Sequence, residues 1–379
     1  MGCTCSAPVY VVDEVHSKDT TSCLLPVAVL QRPRNFQWYW TSIKRKEEEE
    51  EEWKKYSDVE NEIIEDAYNE NMMKTIEIDQ NYIIDFKHWI QYDKKSSIKN
   101  IQIKRVQLNQ NRTMTHLRED RFGGPVLIID MSIPPLVKQQ SLPERFWKLE
   151  LESKTKTMGD LAENAALGMI KVGTTLGKVH ESQWLAKQLF AVKHFGNDIK
   201  AHYSRVPKQI GETCVYLYTK ESFWYKSIYN FLRRPDVITD EQLRIYGPFC
   251  HLLHWYLKKM HRTHTTMTVY RSLNLNDEQR IQFRKPNIKF TLFTSTTKRR
   301  DIAESFGNTL LVIYLNIDER VHTDDDVICG ADIMTLSDYP DEEEFLIWPG
   351  SQFRFVKEEY DETKTKHILY LQSLHNHYI

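Results

Sequence analysis

Several features that mark other protein classes are missing from this chain. No apolar run among its 379 residues approaches the length of about 18 residues that a transmembrane helix needs. The first residues lack the basic region and the apolar core of a secretory signal. The formal net charge is −2, so no overall field would draw the chain to nucleic acid or to acidic membranes. We therefore expect a globular protein that binds no nucleic acid directly.

Cysteine is scarce and scattered. The six cysteines are Cys3, Cys5, Cys23, Cys214, Cys250 and Cys329. None of them forms a CxxC pair with the spacing of a zinc site, since even Cys3 and Cys5 are only two positions apart. This pattern predicts a reduced, cytoplasmic setting without disulfides, and it indicates no metal site.

The first residues carry a pattern for lipid attachment. Gly2 follows Met1, and Ser6 completes the N-myristoylation pattern. One myristoyl chain binds membranes only marginally, and a second acyl chain makes the anchor stable. Cys3 and Cys5 stand where palmitoylation would supply that chain. The pattern predicts a flexible tether over residues 1–34, anchored to the inner face of a membrane. The alternative is a disordered tail with chance cysteines.

Residues 35–108 alternate strand patterns with one helix pattern. Trp38 lies in an aromatic strand, Trp53 begins a second one, and residues 57–69 show the i, i+3, i+4 apolar face of a helix. Strand-like runs follow at 75–78, 82–86 and 101–106. In this order of elements, with Trp38, Trp53 and Glu65 at their places, the region resembles a WWE domain. The resemblance implies a small half-barrel packed on one helix.

Some WWE domains bind the ADP-ribose units of poly(ADP-ribose), and the resemblance implies where this one would do so. Tyr82 and Gln91 match positions that stack on adenine and hydrogen-bond to it, with Trp38 beside them. Ile101 stands where ligand-binding members carry an arginine for phosphate, and losing that bidentate partner weakens binding. Two interpretations stay open: an ADP-ribose site, or a docking scaffold in which Trp38, Trp53 and Tyr82 are core residues.

Residues 109–174 contain no motif. Gly123-Gly124-Pro125 suggests a turn before a buried strand, and the alanine-rich residues 158–174 predict a helix. We expect a connector that packs on the domain after it. From residue 175 to 379, helical patterns come first (181–195, 217–232 and 240–260) and strand patterns follow from 266.

The C-terminal region is organised around an acidic stretch that runs into an apolar strand. Glu344 stands where this strand begins, so its carboxylate would be held rigidly. Glu342 lies two positions earlier, and on an extended backbone the two side chains point to the same side. Two carboxylates on one face can divide an acid–base or electrostatic task. The plainer interpretation is an acidic turn before a strand.

Two upstream stretches complete a pattern with these glutamates. Arg271 follows a β-rich run, and residues 289–297 alternate apolar and hydroxyl side chains, which predicts one half-buried strand. Arginine, then Ser-Thr-Thr, then Glu-x-Glu, each at a strand, is the R-S-E signature. The region resembles the arginine-specific mono-ADP-ribosyltransferases of the cholera-toxin-like clade. The resemblance implies an α+β chain whose C-terminal domain combines a helical lobe with a split β-sandwich and binds NAD between them.

The resemblance also implies the role of each glutamate. The reaction breaks the bond between ribose and nicotinamide through a transition state with oxocarbenium character, as in glycoside hydrolysis. Glu344 matches the catalytic glutamate, which would hold the ribose 2′-hydroxyl and stabilise the developing cation. Glu342 matches the first glutamate of the pair. It would orient an acceptor guanidinium and take its proton, because free arginine stays charged in water.

The remaining matched positions would bind NAD, which is expected as a substrate, with no metal. Arg271 would clamp the phosphates with its fork of donors. Ser295 and Thr296 would fix the strands of Arg271 and Glu344 by hydrogen bonds. Phe306 occupies the position that stacks on nicotinamide, and its alternative is an ordinary core residue.

We therefore expect a membrane-tethered, cytoplasmic arginine mono-ADP-ribosyltransferase that acts on proteins with accessible arginines. Two rival functions stay open and a third is disfavoured. A non-catalytic reader or adaptor would use the transferase fold as a scaffold. A polymerase-type transferase is disfavoured, because it would have histidine and tyrosine where this chain has Arg271 and Ser295. An NAD glycohydrolase would use water as the acceptor.

Overall fold

The computed structural model describes residues 35–42, 52–70, 74–79, 82–108, 118–131, 142–153, 155–203, 205–233, 237–260, 267–315 and 329–374. The predicted lipid-bearing residues Gly2, Cys3 and Cys5 lie outside these ranges. Within them, no helix is both long enough and apolar enough to cross a membrane.

The N-terminal unit is a six-stranded antiparallel sheet curved around one helix. Its strands are β1 (Phe36–Ser42), β2 (Glu52–Lys55), β3 (Thr75–Ile78), β4 (Tyr82–Asp85), β5 (Ile90–Asp93) and β6 (Ser96–Gln107). They lie in the order β2-β1-β6-β5-β4-β3. Helix α1 (Asp58–Asn69) covers the core of this sheet, where Trp38, Ile64 and Ile84 are fully buried.

Helix α1 begins where its sequence dictates. The Ser57 side chain accepts a hydrogen bond from the Glu60 amide, and the Glu60 carboxylate accepts one from the Ser57 amide. This reciprocal capping box satisfies two backbone donors at the start of the helix. The far end is tied to the sheet by Glu65, which accepts hydrogen bonds from the Arg105 guanidinium and from the Trp38 indole.

The C-terminal domain begins with a helical lobe. The further α-helices are α2 (Glu119–Phe122), α3 (Leu142–Phe146), α4 (Met158–Thr175), α5 (Val179–Val192), α6 (Lys208–Thr219), α7 (Phe223–Leu232), α8 (Asp240–Lys259), α9 (Asp277–Phe283) and α10 (Arg300–Ala303). Side chains from α3 to α8 share one hydrophobic core. The small residues of α4 allow close helix packing: a Cβ on Gly168 would lie 2.5 Å from the Ile245 carbonyl oxygen.

A nine-stranded sheet packs against this lobe. Its strands are β7 (Ile128–Asp130), β8 (Met267–Leu273), β9 (Ile288–Phe290), β10 (Thr294–Thr297), β11 (Thr309–Leu315), β12 (Gly330–Asp332), β13 (Glu344–Ile347), β14 (Gln352–Asp361) and β15 (Lys366–Ser373). They lie in the order β12-β13-β10-β8-β11-β15-β14-β9-β7. Strand β7 comes from the region that carried no motif, and it forms one edge of the sheet.

Two predicted elements are each divided in the structure. The helix predicted at 217–232 is two helices, because Lys220 adopts an extended backbone and the Ser222 side chain caps α7 by accepting from the Tyr225 amide. The strand predicted at 289–297 is also two, since β9 pairs with β7 and β14 whereas β10 pairs with β8 and β13. All four residues of β10 are buried, so it is not half-buried as predicted.

Charged side chains join the two units. Asp79 of the N-terminal unit accepts hydrogen bonds from the backbone amides of His180 and Glu181, at 2.8 and 2.9 Å, and so caps α5. Glu62 of α1 accepts a hydrogen bond from the fully buried Lys220 ammonium group at 2.9 Å. Helix α1 therefore lies against the helical lobe, close to the turn between α6 and α7.

Candidate active site

Glu342 and Glu344 of the acidic stretch are fully buried at the start of β13. Glu342 ends a 3-10 turn (Pro340–Glu342), Glu344 is the first residue of the strand, and each is 0% exposed. Glu343 between them has a φ of +43° and is half-buried. The extended backbone that the sequence predicted is therefore not found. A tight turn and one left-handed residue bring both carboxylates inward instead.

Hydroxyl groups of β10 hold this turn in place. The Thr296 hydroxyl donates to the Phe345 carbonyl and the Thr297 hydroxyl donates to the Glu342 carbonyl, each at 2.6 Å. The Ser295 carbonyl accepts from Arg271 at 2.5 Å, while its hydroxyl has no partner among the described residues. Thr297 was not among the predicted site residues, although the uninterrupted Ser-Thr-Thr run was a signal for it.

Arg271 lies on β8 with its guanidinium buried beside these strands. Its Nη1 also donates to the Arg121 carbonyl at 3.2 Å, and its Nη2 donates to the Gly124 carbonyl at 2.5 Å. Its Nε is buried and has no partner within the part of the chain that the structure describes. Burial lowers the pKa of Arg271. The hydrogen bonds of its guanidinium within the described residues all go to carbonyl oxygens, so this cation would gain from an anionic partner.

Two arginines that the sequence analysis missed contact the two glutamates. Arg118 donates to both carboxylate oxygens of Glu342, from Nε at 2.9 Å and from Nη2 at 2.8 Å. Arg121 donates to both oxygens of Glu344, at 2.8 to 3.1 Å. Burial alone would lower the pKa of each guanidinium, but the paired carboxylate more than offsets it and raises both pKa values. The sequence offered one weak signal for these two contacts: the pair of arginines lies just before Gly123-Gly124, in a region without a motif.

Phe306 is half-buried against a separate apolar cluster that contains Ile302, Leu310 and Tyr370. The fully buried Phe122 belongs to the same cluster, so the arginine-bearing segment also reaches this position. A core residue and a stacking position both agree with this placement. The predicted stacking role of Phe306 stays a prediction.

The three residues predicted to bind a ligand in the N-terminal unit have different surroundings. Trp38 is 0% exposed and stacks on Trp89 with ring centroids 5.6 Å apart, so it lies in the core rather than at a ligand surface. The Gln91 side chain is buried and accepts a hydrogen bond from the Tyr56 hydroxyl. Tyr82 is only half-buried. Of these three, Tyr82 is the side chain that a ligand can reach without rearrangement of the core.

No group of three or more His, Cys, Asp or Glu side chains suited to a metal ion occurs in the described ranges. The site is built from two carboxylates, three guanidinium groups and a set of hydroxyls. Such a set can bind anionic phosphates at its free donors and can place negative charge beside a developing cation.

The site thus combines two buried carboxylates with three guanidinium groups, one of which has a donor without a partner among the described residues. Residues 179–378 match the family NAD:arginine ADP-ribosyltransferase, and the chain belongs to this family. Residues 36–105 match the WWE domain. The predicted α+β organisation, with an N-terminal WWE half-barrel and a C-terminal ADP-ribosyltransferase fold, is thereby confirmed.

Several solved structures are similar to the chain. The ADP-ribosyltransferase HopU1 of Pseudomonas syringae is 21% identical, with a TM-score of 0.37, over 46% of this chain and 80% of its own. The type III effector XopAI from Xanthomonas axonopodis is 12% identical, with a TM-score of 0.42, over 62% and 95%. Exoenzyme S from Pseudomonas aeruginosa, solved with carba-NAD and human 14-3-3 protein beta, is 13% identical, with a TM-score of 0.37, over 56% and 88%. No curated protein matches the chain.

Proposed function

We propose that the chain transfers ADP-ribose from NAD to arginine side chains and releases nicotinamide. The observation that carries this proposal is the contact of Glu342 with a guanidinium. Both oxygens of Glu342 accept from the fork of Arg118, at 2.9 and 2.8 Å, and Glu342 lies within residues 179–378, which match the family. A carboxylate that receives one arginine in this way has the shape and charge to receive an arginine of a protein substrate.

Glu344 and Glu342 would divide the chemistry between them. NAD, when bound, supplies the ADP-ribosyl group and the nicotinamide leaving group. Glu344, rigid at the first position of β13, would hold the ribose 2′-hydroxyl and provide negative charge where positive charge develops. Glu342 would orient the acceptor guanidinium and accept a proton from it. The Thr297 hydroxyl, which bonds to the Glu342 carbonyl, would keep the turn of Glu342 in place.

Two buried polar atoms support a phosphate site next to the glutamates. Within the described residues, Arg271 Nε and Ser295 Oγ are both buried and have no hydrogen-bond partner. Buried donors in native proteins are nearly always paired, and the two residues are joined by the hydrogen bond from Arg271 to the Ser295 carbonyl, so we infer that a ligand completes both donors. Phosphate oxygens suit both donors, and they would supply the negative charge that Arg271 lacks.

The test is incubation of the full chain with labelled NAD and agmatine, an arginine mimic. Wild type, Glu342→Gln, Glu344→Gln and the control Glu343→Gln would run side by side. We expect transfer by wild type and by Glu343→Gln, NAD cleavage without transfer by Glu342→Gln, and neither reaction by Glu344→Gln. Cleavage of NAD without transfer by wild type would instead identify a glycohydrolase. Complete inactivity of every chain, including chains in which Arg118 and Arg121 are both replaced by glutamine, would favour the adaptor.

For the WWE domain we propose a docking role within the chain. Asp79 and Glu62 bind the helical lobe, and Ile101 offers no bidentate partner for phosphate. Calorimetric titration with ADP-ribose tests the alternative. Tight binding that is lost in Tyr82→Ala would show an ADP-ribose reader instead.

We further propose that the N-terminus anchors the chain to the cytoplasmic face of a membrane. The support is the sequence pattern at Gly2, Cys3 and Cys5 alone. Cells expressing the chain would be fed labelled myristate, with Gly2→Ala as the control. Absence of label from the chain with Gly2 intact would contradict the anchor.

A further inference from the structure

We propose that residues 118–124, here named the plug, are a built-in substrate mimic that closes the active site of the resting chain. The plug must leave before NAD and an acceptor arginine can bind. This inference rests on the proposed function, because it takes its site residues from there. It adds a device for regulation that neither family match contains: the plug lies outside residues 36–105 and outside residues 179–378.

The plug occupies the carboxylates of both Glu342 and Glu344. Arg118 takes both oxygens of Glu342, the position proposed for an acceptor arginine. Arg121 takes both oxygens of Glu344, the position proposed for the ribose of NAD. Each glutamate is 0% exposed, so the pairs are shielded from water and a ligand can reach neither carboxylate while the plug is in place. A surface contact would not exclude ligands in this way.

The plug also covers the residues proposed to bind the phosphates and nicotinamide of NAD. The Arg121 and Gly124 carbonyls accept hydrogen bonds from the Arg271 guanidinium, which is the proposed phosphate clamp. Phe122 is fully buried in the apolar cluster that Phe306 packs against. A chance contact would cover one of these positions. The plug covers the acceptor, ribose and phosphate positions together, and reaches the apolar cluster at Phe306.

Hydrogen bonds, a ring contact and the pairing of β7 hold the plug in place. Arg121 Nη1 donates to the Tyr218 carbonyl at 2.9 Å, and Arg118 Nη1 donates to the Thr219 carbonyl at 2.8 Å. The Arg118 guanidinium also lies 3.7 Å from the centre of the Tyr339 ring. Downstream, strand β7 fixes the chain to the sheet edge by pairing with β9. The plug is thus a bonded part of the fold whose release requires specific contacts to break.

The WWE domain also contacts the plug. Asp58, the first residue of α1, lies 3.7 Å from Arg118 Nη1 and accepts from the Tyr339 hydroxyl at 2.6 Å. It also accepts from the Glu221 amide at 2.7 Å. One carboxylate of the WWE domain therefore contacts the plug and the wall of the site at once. Movement of α1 away from the helical lobe would remove a negative charge that holds Arg118 in place.

The experiment measures the binding of carba-NAD, an analogue that is not cleaved, by calorimetry. The full-length chain is compared with the double variant Arg118→Gln/Arg121→Gln and with Arg145→Gln. Arg145 is a control arginine on α3 of the helical lobe, paired with Asp240 instead of a site residue. If the plugged form holds about 90 to 99% of the resting chain, the double variant binds about 10- to 100-fold more tightly than wild type. The Arg145→Gln chain should bind as wild type does.

A second measurement uses the wild-type chain alone, so it does not depend on the folding of a variant. Hydrogen exchange of the amides in residues 118–126 is followed with and without saturating carba-NAD. Displacement of the plug predicts faster exchange in that stretch when the analogue binds. Unchanged or slower exchange there, with the analogue bound, would overturn the proposal.

The failure of this inference differs from failure of the proposed function. Equal, tight binding of carba-NAD by wild type and by the double variant, together with transfer to agmatine, would overturn the plug and leave the function intact. No binding by any of the three chains would overturn both. Tight binding by the double variant and weak binding by wild type supports both.

Discussion

The WWE domain and the transferase domain each contain a glutamate that is held by the fork of an arginine. In the WWE domain, Arg105 binds Glu65 at 2.6 Å, and the two side chains are 19% and 17% exposed. In the transferase domain, Arg121 binds Glu344 at 2.8 Å, and the exposures are 4% and 0%. The chemistry of the two pairs is the same. Their burial and the origin of the arginine are different.

The Glu65 pair belongs to one domain and serves its fold. Burial would raise the pKa of Glu65, but hydrogen bonds from Arg105, Trp38 and Asn69 more than offset that effect and lower it. The pair spans 40 positions and joins a helix to the sheet that the helix covers. The Glu344 pair spans 223 positions and brings in an arginine from outside the matched family region. A buried ion pair whose arginine comes from outside the matched domain is thus better evidence of a blocked site than of a stable fold.

The largest expected effect separates these glutamates by activity. In the Arg118→Gln/Arg121→Gln chain, where the plug does not interfere, Glu344→Gln should reduce kcat/KM for NAD cleavage by about 10²- to 10³-fold, the usual loss when transition-state charge stabilisation is removed. The control Glu65→Gln in the same chain should stay within about twofold, since Glu65 lies in another domain. Equal losses in both would mean that carboxylate replacement acts through folding, and the comparison would fail.

The next effect is on stability, at the contact between the two domains. Burial raises the pKa of Glu181 to about 7, although Lys178 opposes the shift. The ordinary value of 4.5 applies to the unfolded chain, so between about 4.5 and about 7 the folded chain binds more protons. Stability should therefore fall as the pH rises through this window, by roughly 3 kcal/mol at most.

Urea unfolding at pH 5 and pH 7.5 measures that slope, and Glu181→Gln isolates its origin. The variant keeps an acceptor for the Phe223 amide but cannot ionise. His180, whose pKa is raised by its hydrogen bond to Asp79, adds a slope of the same sign that the variant retains. The variant should lose most of the decrease. An undiminished decrease would assign it to His180 instead.

A smaller effect concerns the WWE pair itself. Glu65→Gln removes charge-assisted hydrogen bonds to Arg105 and to the Trp38 indole, and should lower the free energy of unfolding by about 1–3 kcal/mol. Glu77→Gln is the matched control, because Glu77 pairs with Lys94 on the surface, and exposed pairs contribute about 0–1 kcal/mol. Denaturant titration followed by tryptophan fluorescence checks both. A loss no greater than that of the control would show that the WWE pair is only a surface contact.

Local patterns were enough to predict most elements. The aromatic run at Trp38 predicted β1, the apolar face of residues 57–69 predicted α1, and the run after Glu344 predicted β13. Each of these elements is specified by side chains close together in sequence, which is what alternation and capping report. The convergence of Arg271, β10 and the glutamates followed from the family resemblance, because strand order cannot be read from periodicity.

The parts that were missed depend on distant contacts. Lys220 interrupts a helical pattern, and its ammonium group is bound by Glu62, 158 positions away. The left-handed Glu343 has no glycine to signal it. Arg118 and Arg121 stand in a region without a motif. They contact glutamates that lie 224 and 223 positions later in the sequence, and only folding brings these residues together. Long side chains with charges can pair anywhere on a chain, so their partners are not encoded in their neighbourhood.

The smallest effect tests whether the WWE domain shares in closing the site. Asp58→Asn keeps the size of the side chain and removes the negative charge 3.7 Å from Arg118 Nη1, while both pairs of the plug with Glu342 and Glu344 remain. We expect the affinity for carba-NAD to rise only about two- to fivefold, because Arg118 keeps its two direct charge-assisted hydrogen bonds to Glu342, which hold it more strongly than this longer contact. Asp66→Asn is the control: Asp66 also joins α1 to the lobe, through the Trp184 indole at 3.4 Å, but it does not contact the plug. A gain in Asp58→Asn that the control lacks would make the WWE domain part of the closing mechanism. Equal behaviour of the two variants would confine that mechanism to the plug and the two glutamates.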